Sequence, residues 1–142
     1  MMRRKYGNRK IHRDGEVFDS KREFERYQEL LWLERAGRIH DLHRQVKFEL
    51  VPAYYEPYER RSEKTGKLLP PGQRCVEYAV NYYADFVYWE GDEMVVEDVK
   101  SEATKTEAYI IKRKLMLRLG YRIREVELCT NLSACIVAGL KQ

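Results

Sequence analysis

Apolar and polar positions along the chain mark out six core elements. Residues 20–36 repeat at helical spacing, with Phe24, Tyr27, Leu30 and Leu31 on an inner face. Arg22, Glu25, Arg26 and Glu29 form the outer face, paired at i,i+3 and i,i+4. Ser20 opens this helix and Gly37 suits the C′ position that ends it. Residues 45–51 alternate and stop at Pro52, which predicts a first strand. Residues 82–90 and 93–100 are two apolar strands about Gly91-Asp92, where glycine supplies the positive φ of a two-residue hairpin turn. Thr104 then caps a second helix to about Leu119, with Ala108, Ile111, Leu115 and Leu119 as its apolar stripe and Gly120 as its stop. Residues 121–128 form a last strand, and Asp14-Gly15 turns a short hairpin or loop ahead of the first helix.

The order α-β-β-β-α-β predicts an α/β fold, a central mixed sheet flanked by helices. Residues 1–13 read as a basic arm, 14–128 as a single domain and 129–142 as a tail without an assigned element. Residues 52–74, with Pro52, Pro57, Gly66 and Pro70-Pro71-Gly72, read as a hairpin or loop insertion.

Charges sit where strands normally refuse them. Counting from the turn, residue 90 faces 93, 89 faces 94, and Asp85 faces Asp98. Alternation puts Tyr83, Asp85, Val87 and Trp89 on one face, and Asp98 and Lys100 together on a face of the partner strand. Tyr82, Ala84, Phe86 and Tyr88 fill the other face. Like charges facing across a ladder are destabilising, so something cationic belongs between them. Lys100 in a buried salt bridge is one answer and a hard divalent ion is the other. Glu23 adds a third acid on the inner side of the first helix. It either closes a capping box by reaching back to the Ser20 amide or points toward the Asp85/Asp98 pair.

Composition narrows the class. The chain has 142 residues, 44% hydrophobic and 35% charged, which suits one globular domain with a real core. Its apolar runs fall far short of a membrane span, and no signal peptide is expected at its start, where Met1 leads into Arg3, Arg4 and Lys5. Cys75, Cys129 and Cys135 form no C-x-x-C, which predicts a reducing, cytoplasmic compartment. His40 and His43 have no third ligand nearby and read as surface residues at a helix end.

Charge is uneven. The arm carries Arg3, Arg4, Lys5, Arg9, Lys10 and Arg13 without an acid. Residues 84–103 hold seven acids against Lys100 alone, and residues 104–119 turn basic again with Lys105, Lys112, Arg113, Lys114 and Arg118 against Glu107. An acidic centre with basic flanks suits a cation-using site on a polyanion, against the plainer readings of a solvated terminus and a polar helix face. Tyr54, Tyr55 and Tyr58 precede Arg60 and Arg61 in the insertion, a mixture that suits nucleic-acid contact or an ordinary surface loop.

Asp85, followed by Asp98-Val-Lys100, resembles the core signature of the PD-(D/E)xK nuclease superfamily, with Ala84 where the literal motif has proline. Tyr6-Gly-Asn, Phe18-Asp-Ser-Lys, Tyr83-Ala-Asp-Phe86, Val96-Glu-Asp-Val-Lys100 and Thr104-Lys-Thr resemble a phage-associated family catalogued as a domain of unknown function. That family is placed among restriction-endonuclease-like nucleases near the Holliday-junction resolvases, and the likeness spans residues 5–127. It implies a restriction-endonuclease-like core and a Mg²⁺-dependent endodeoxyribonuclease, with Mn²⁺ as a substitute. By resemblance, Glu23, Asp85 and Asp98 are metal ligands and Lys100 positions or activates the attacking water. Gln45 and Lys105 are expected to contact substrate, and Lys112 is a further candidate for DNA contact. The expected substrate is branched DNA, such as a four-way junction, cut by a homodimer in the host cytoplasm to leave 5′-phosphate and 3′-hydroxyl ends. The alternatives are another structure-specific or restriction-like nuclease or nickase, and a non-catalytic DNA-binding or phage-assembly protein with the same fold.

Overall fold

The hairpin at Gly91 organises the sheet. The computed structural model describes residues 10–13 and 15–127, so the expectations for Arg3, Arg4, Lys5, Asp14, Cys129, Cys135 and the tail lie outside the described residues. Gly91 has φ +60 and turns one strand into the next with the register Glu90↔Glu93, Trp89↔Met94 and Phe86↔Glu97. One more step brings Asp85 level with Asp98.

In chain order the elements are β1 (Ile11–Arg13), β2 (Glu16–Phe18), α1 (Lys21–Arg35), β3 (His40–Val51), β4 (Tyr54–Arg61), β5 (Leu68–Glu77), β6 (Val80–Glu90), β7 (Glu93–Val99), α2 (Glu107–Arg118) and β8 (Ile123–Val126), with a 3₁₀ turn over Glu102–Thr104. The central sheet has the order β3-β6-β7-β8; β6 and β7 run antiparallel, β7 and β8 parallel. The fold is mixed α/β, with a central mixed sheet and two helices. The chain forms two compact units, one of residues 1–46 with 84–142 and one of residues 47–83.

In the larger unit, Leu30 and Ile39 pack with Phe86, Tyr88 and Val95, and Tyr27, Leu42 and Val99 close over them. Each fully buried side chain of this size contributes about 1.5–3 kcal/mol. Ser20 caps α1, its Oγ accepting from the Glu23 N–H at 3.1 Å, and Gly37 with φ +70 follows the C-cap at Ala36. Arg26 departs from the outer face predicted for it. Its Nε and Nη2 donate to Glu97 at 2.7 and 3.0 Å, and the Tyr88 hydroxyl donates to the same carboxylate at 2.6 Å. Glu97 is fully buried on the face opposite Asp98 and survives there because three donors saturate it.

The second helix differs from its expectation in start and in phase. Thr106, not Thr104, is the N-cap, its Oγ1 accepting from the Tyr109 N–H at 3.2 Å. Thr104 closes the preceding 3₁₀ turn instead, its Oγ1 accepting from the Ser101 N–H at 3.0 Å and donating to the Ser101 carbonyl at 2.9 Å. Tyr109 and Met116 form the buried face, whereas Ile111 is 58% exposed and Leu119 49% exposed. His40 and His43 lie exposed on β3 rather than at a helix end, and the His40 ring stacks on Trp89 at 6.5 Å. β3 begins five residues earlier than the expected Gln45, and within it Asp41 and Gln45 take left-handed backbone, φ +54 and +49. β8 is shorter than residues 121–128 at both described ends.

The smaller unit holds the antiparallel ribbon of β4 and β5, running from Tyr54↔Glu77 to Arg61↔Leu68. Residues 52–74 fall in it. Gly72 faces Tyr58, and a Cβ there would lie 2.5 Å from the Tyr58 ring, so glycine is needed for the ring to cross the ribbon.

Candidate functional site

Where α1 begins, its first turn faces the end of β7 across a cleft of about 430 Å³ in the larger unit. Ser20, Arg22 and Glu23 line one side, and Asp85, Lys100, Ser101 and Thr104 the other. Each acid reaches this place for a local reason. Asp85 follows buried Ala84 on β6, so strand alternation turns it to the opposite face. Asp98 is 2% exposed and lies deeper than Asp85. Glu23 is at N3 of α1, where its Oε2 accepts from the Asp19 N–H at 2.9 Å. It therefore does cap the helix, one residue earlier than the Ser20 amide expected for it, and with one oxygen only.

The second oxygen of Glu23 faces the cleft. The Gln45 side-chain nitrogen donates to Glu23 Oε1 at 3.1 Å and to Asp85 Oδ1 at 3.3 Å. Arg44 Nη2 stands 3.6 Å from Glu23 Oε1, with its guanidinium over the Phe18 ring at 3.8 Å. Asp85 Oδ2 accepts from the Val99 N–H at 2.9 Å. Lys100 Nζ lies 3.1 Å from Asp98 Oδ2 and 4.7 Å from the centre of the Tyr109 ring. The ammonium is off the hydrogen-bonding direction, so Asp98 Oδ2 is buried with a charge neighbour and no hydrogen bond.

Electrostatics record the crowding. Burial pushes the Asp85 carboxyl up to about 7, and the adjoining Asp98 adds to this through hydrogen bonding and repulsion, against the Val99 N–H and Lys100. Burial also raises Glu23, followed by the Asp85 charge, while the Asp19 N–H, Gln45 and Arg44 pull it down. Behind the acids, Glu125 of β8 accepts from Tyr109 at 2.8 Å and Arg113 at 2.6 Å and pairs with Lys105 at 2.9 Å. Burial opposes its ionisation, yet those three partners bring it down to about 2.

The structure thus brings Asp85, Asp98 and Lys100 together and sets Glu23 one carboxamide away from them. Among the described residues, no three His, Cys, Asp or Glu side chains are gathered closely enough to hold a metal ion. The residues that are present suit a divalent cation on two counts: Asp98 has a buried oxygen without a hydrogen bond, and the Asp85 carboxyl beside it is pushed up by burial and then by Asp98. Gln45 faces inward to the acids, where sequence placed it against substrate. Lys105 is tied to Glu102 at 2.6 Å as well as to Glu125, and Lys112 is half-buried on α2. Arg60 and Arg61 are exposed on β4 in the smaller unit, with Arg61 paired to Glu59 at 2.7 Å. Sequence reading missed Tyr109, Glu125, Arg44 and Arg22. The Ser101-x-x-Thr104 spacing was a legible signal for the 3₁₀ turn; Tyr109 was hidden by the wrong helix phase.

Fold and cleft define a mixed α/β protein with a buried aspartate, Asp98, beside the half-buried Asp85 and a lysine at one opening. The chain belongs to the family described as "protein of unknown function (DUF1064)", whose pattern matches residues 3–135. No curated protein and no solved structure matches it. Among the described residues, no helix is long and apolar enough to cross a membrane.

Proposed function

We propose that this protein is a metal-dependent DNA endonuclease of the restriction-endonuclease-like, PD-(D/E)xK type, phage-encoded and acting on branched DNA in the host cytoplasm. The observation that carries the reading is Asp98: a buried carboxylate oxygen with no hydrogen bond, beside Asp85 and within 3.1 Å of Lys100, behind a cleft open to solvent. A fold kept only for binding has no need of so costly a pair.

Asp85 and Asp98 would hold Mg²⁺, or Mn²⁺ in its place, with Glu23 on the opposite wall. Such an ion supplies an acidified water and charge neutralisation at a phosphate. Lys100, 3.1 Å from Asp98 and 4.7 Å from the centre of the Tyr109 ring, would stabilise negative charge developing beside Asp98. Arg22 on the opposite lip offers a guanidinium to a neighbouring phosphate. Two cuts resolve a four-way junction, so a two-fold homodimer goes with this substrate.

The Lys100–Asp98 contact favours a second reading, a static ion pair in a non-catalytic DNA-binding protein. The deciding experiment incubates a labelled four-way junction and its linear duplex with Mg²⁺, Mn²⁺ or EDTA, using wild type and Asp98→Asn. Paired, metal-dependent cuts confined to the junction and lost in Asp98→Asn are expected. Equal cutting of both substrates would keep the nuclease and discard junction specificity. DNA binding without cutting of junction, flap or single strand would establish the second reading.

A further inference from the structure

Gln45 combines two features that a plain strand residue lacks. Its φ of +49 lies in the left-handed region, which a non-glycine residue seldom takes inside a strand. Strain of this kind persists where the surroundings over-determine it. The same residue gives its carboxamide to two acids from two elements, Glu23 of α1 at 3.1 Å and Asp85 of β6 at 3.3 Å. Gln45 lies on the exposed side of β3, where its side chain meets both acids.

A carboxamide nitrogen is a poor permanent answer to two carboxylates. It is neutral and offers only partial positive charge, whereas a divalent cation meets both charges in full. Its other end is a carbonyl oxygen, a ligand that hard cations accept alongside carboxylates. One half-turn of the amide exchanges donor for ligand without moving the backbone.

We propose that Gln45 is an exchangeable bridge. Without a cation its nitrogen holds Glu23 and Asp85 together; when a divalent cation enters, the carboxamide turns over and its Oε1 becomes a neutral ligand beside Asp85. The inference rests on the metal reading of the Asp85/Asp98 site and deepens it, because it gives Glu23 a route into that site through Gln45. It also explains why the acids are not gathered as a ready-made ligand set: the bridge occupies the gap between them.

The test compares wild type, Gln45→Glu, Gln45→Met and Gln45→Gly by thermal melting in EDTA and in MnCl₂, and by Mn²⁺ calorimetry. Gln45→Glu keeps an oxygen but replaces the donor with a third charge. It should melt below wild type in EDTA and show a larger rise with Mn²⁺. Gln45→Met fills the same space with neither donor nor hard oxygen, and should bind Mn²⁺ at least about tenfold more weakly. Gln45→Gly should bind as weakly as Gln45→Met yet melt above it in EDTA, since glycine relieves the left-handed backbone. Wild-type melting and Mn²⁺ affinity in both Gln45→Glu and Gln45→Met would overturn the bridge while leaving the metal site standing. Absence of Mn²⁺ binding by wild type would overturn the metal reading, and the exchange with it.

Discussion

Asp85 is the residue at which stability and the proposed activity pull in opposite directions. Its carboxyl titrates near 7 in the folded protein, against an ordinary value of 3.8 that an unfolded chain would show. A carboxyl raised on folding favours the folded state in its neutral form. That contribution is complete below about 3.8 and is lost as pH rises through about 7. The cation-free protein should therefore melt higher at pH 5 than at pH 8, and Asp85→Asn should remove most of that slope. At pH 8 the variant should be more stable than wild type by on the order of 2 kcal/mol. Differential scanning calorimetry in EDTA checks this, and a variant less stable than wild type at pH 8 would contradict it. Added Mn²⁺ should reverse the wild-type trend, because the ion takes the place of the proton. Much at this scale was legible. The turn count put Asp85 opposite Asp98, and alternation put Lys100 with Asp98. Arg26 and Glu97 were not legible as a pair, because 71 residues separate them in the chain. Gln45 was misplaced for the same kind of reason: the acids that take its carboxamide, Glu23 and Asp85, lie 22 and 40 residues away in the chain.

At the scale of elements, the two helices show when a sequence pattern decides and when it does not. The limits of α1 came out as expected since Ser20 and Gly37 bracket it with side-chain and backbone chemistry of their own. α2 and its C-cap Leu119 carry Ala108, Tyr109, Ile110, Ile111, Leu115, Met116, Leu117 and Leu119, apolar residues on most of the circumference. No single stripe stands out, so tertiary packing chooses the face, and it chooses Tyr109 and Met116. Two substitutions separate the phases. Met116→Ala should cost about 2–5 kcal/mol, the loss of a fully buried side chain with its cavity. Leu119→Ala should stay within about 0.5 kcal/mol, as a surface change. Urea unfolding of both variants measures the difference. Equal costs would restore the Ala108-Ile111-Leu115-Leu119 face that the sequence pattern favoured.

For the whole molecule the governing feature is the distribution of charge between the acid-lined cleft and the cations elsewhere. The chain's net charge of +4 is small, but a polyanion responds to cations that are free to release its counterions, not to the net value. Several cations in the larger unit are committed: Arg26 to Glu97, Arg44 to Glu16, Lys105 and Arg113 to Glu125, and Arg124 to Glu90. The ribbon differs within itself. Arg61 is paired with Glu59 and Arg74 with Glu56, whereas no ion pair within 4.0 Å is seen for the exposed Arg60 among the described residues. If the ribbon meets DNA, Arg60→Ala should lower the steepness of log affinity against log salt by about 1, as the loss of one phosphate contact does. Arg61→Ala should lower it by less, since its partner already holds it in the free protein. Neither substitution should alter Mn²⁺ binding in the larger unit. Fluorescence anisotropy of a labelled junction over a salt series gives the slopes. Unchanged slopes in both variants would remove the ribbon from the DNA-binding surface and leave the cations of the larger unit, Arg22 and Lys100 at the cleft first, to carry it.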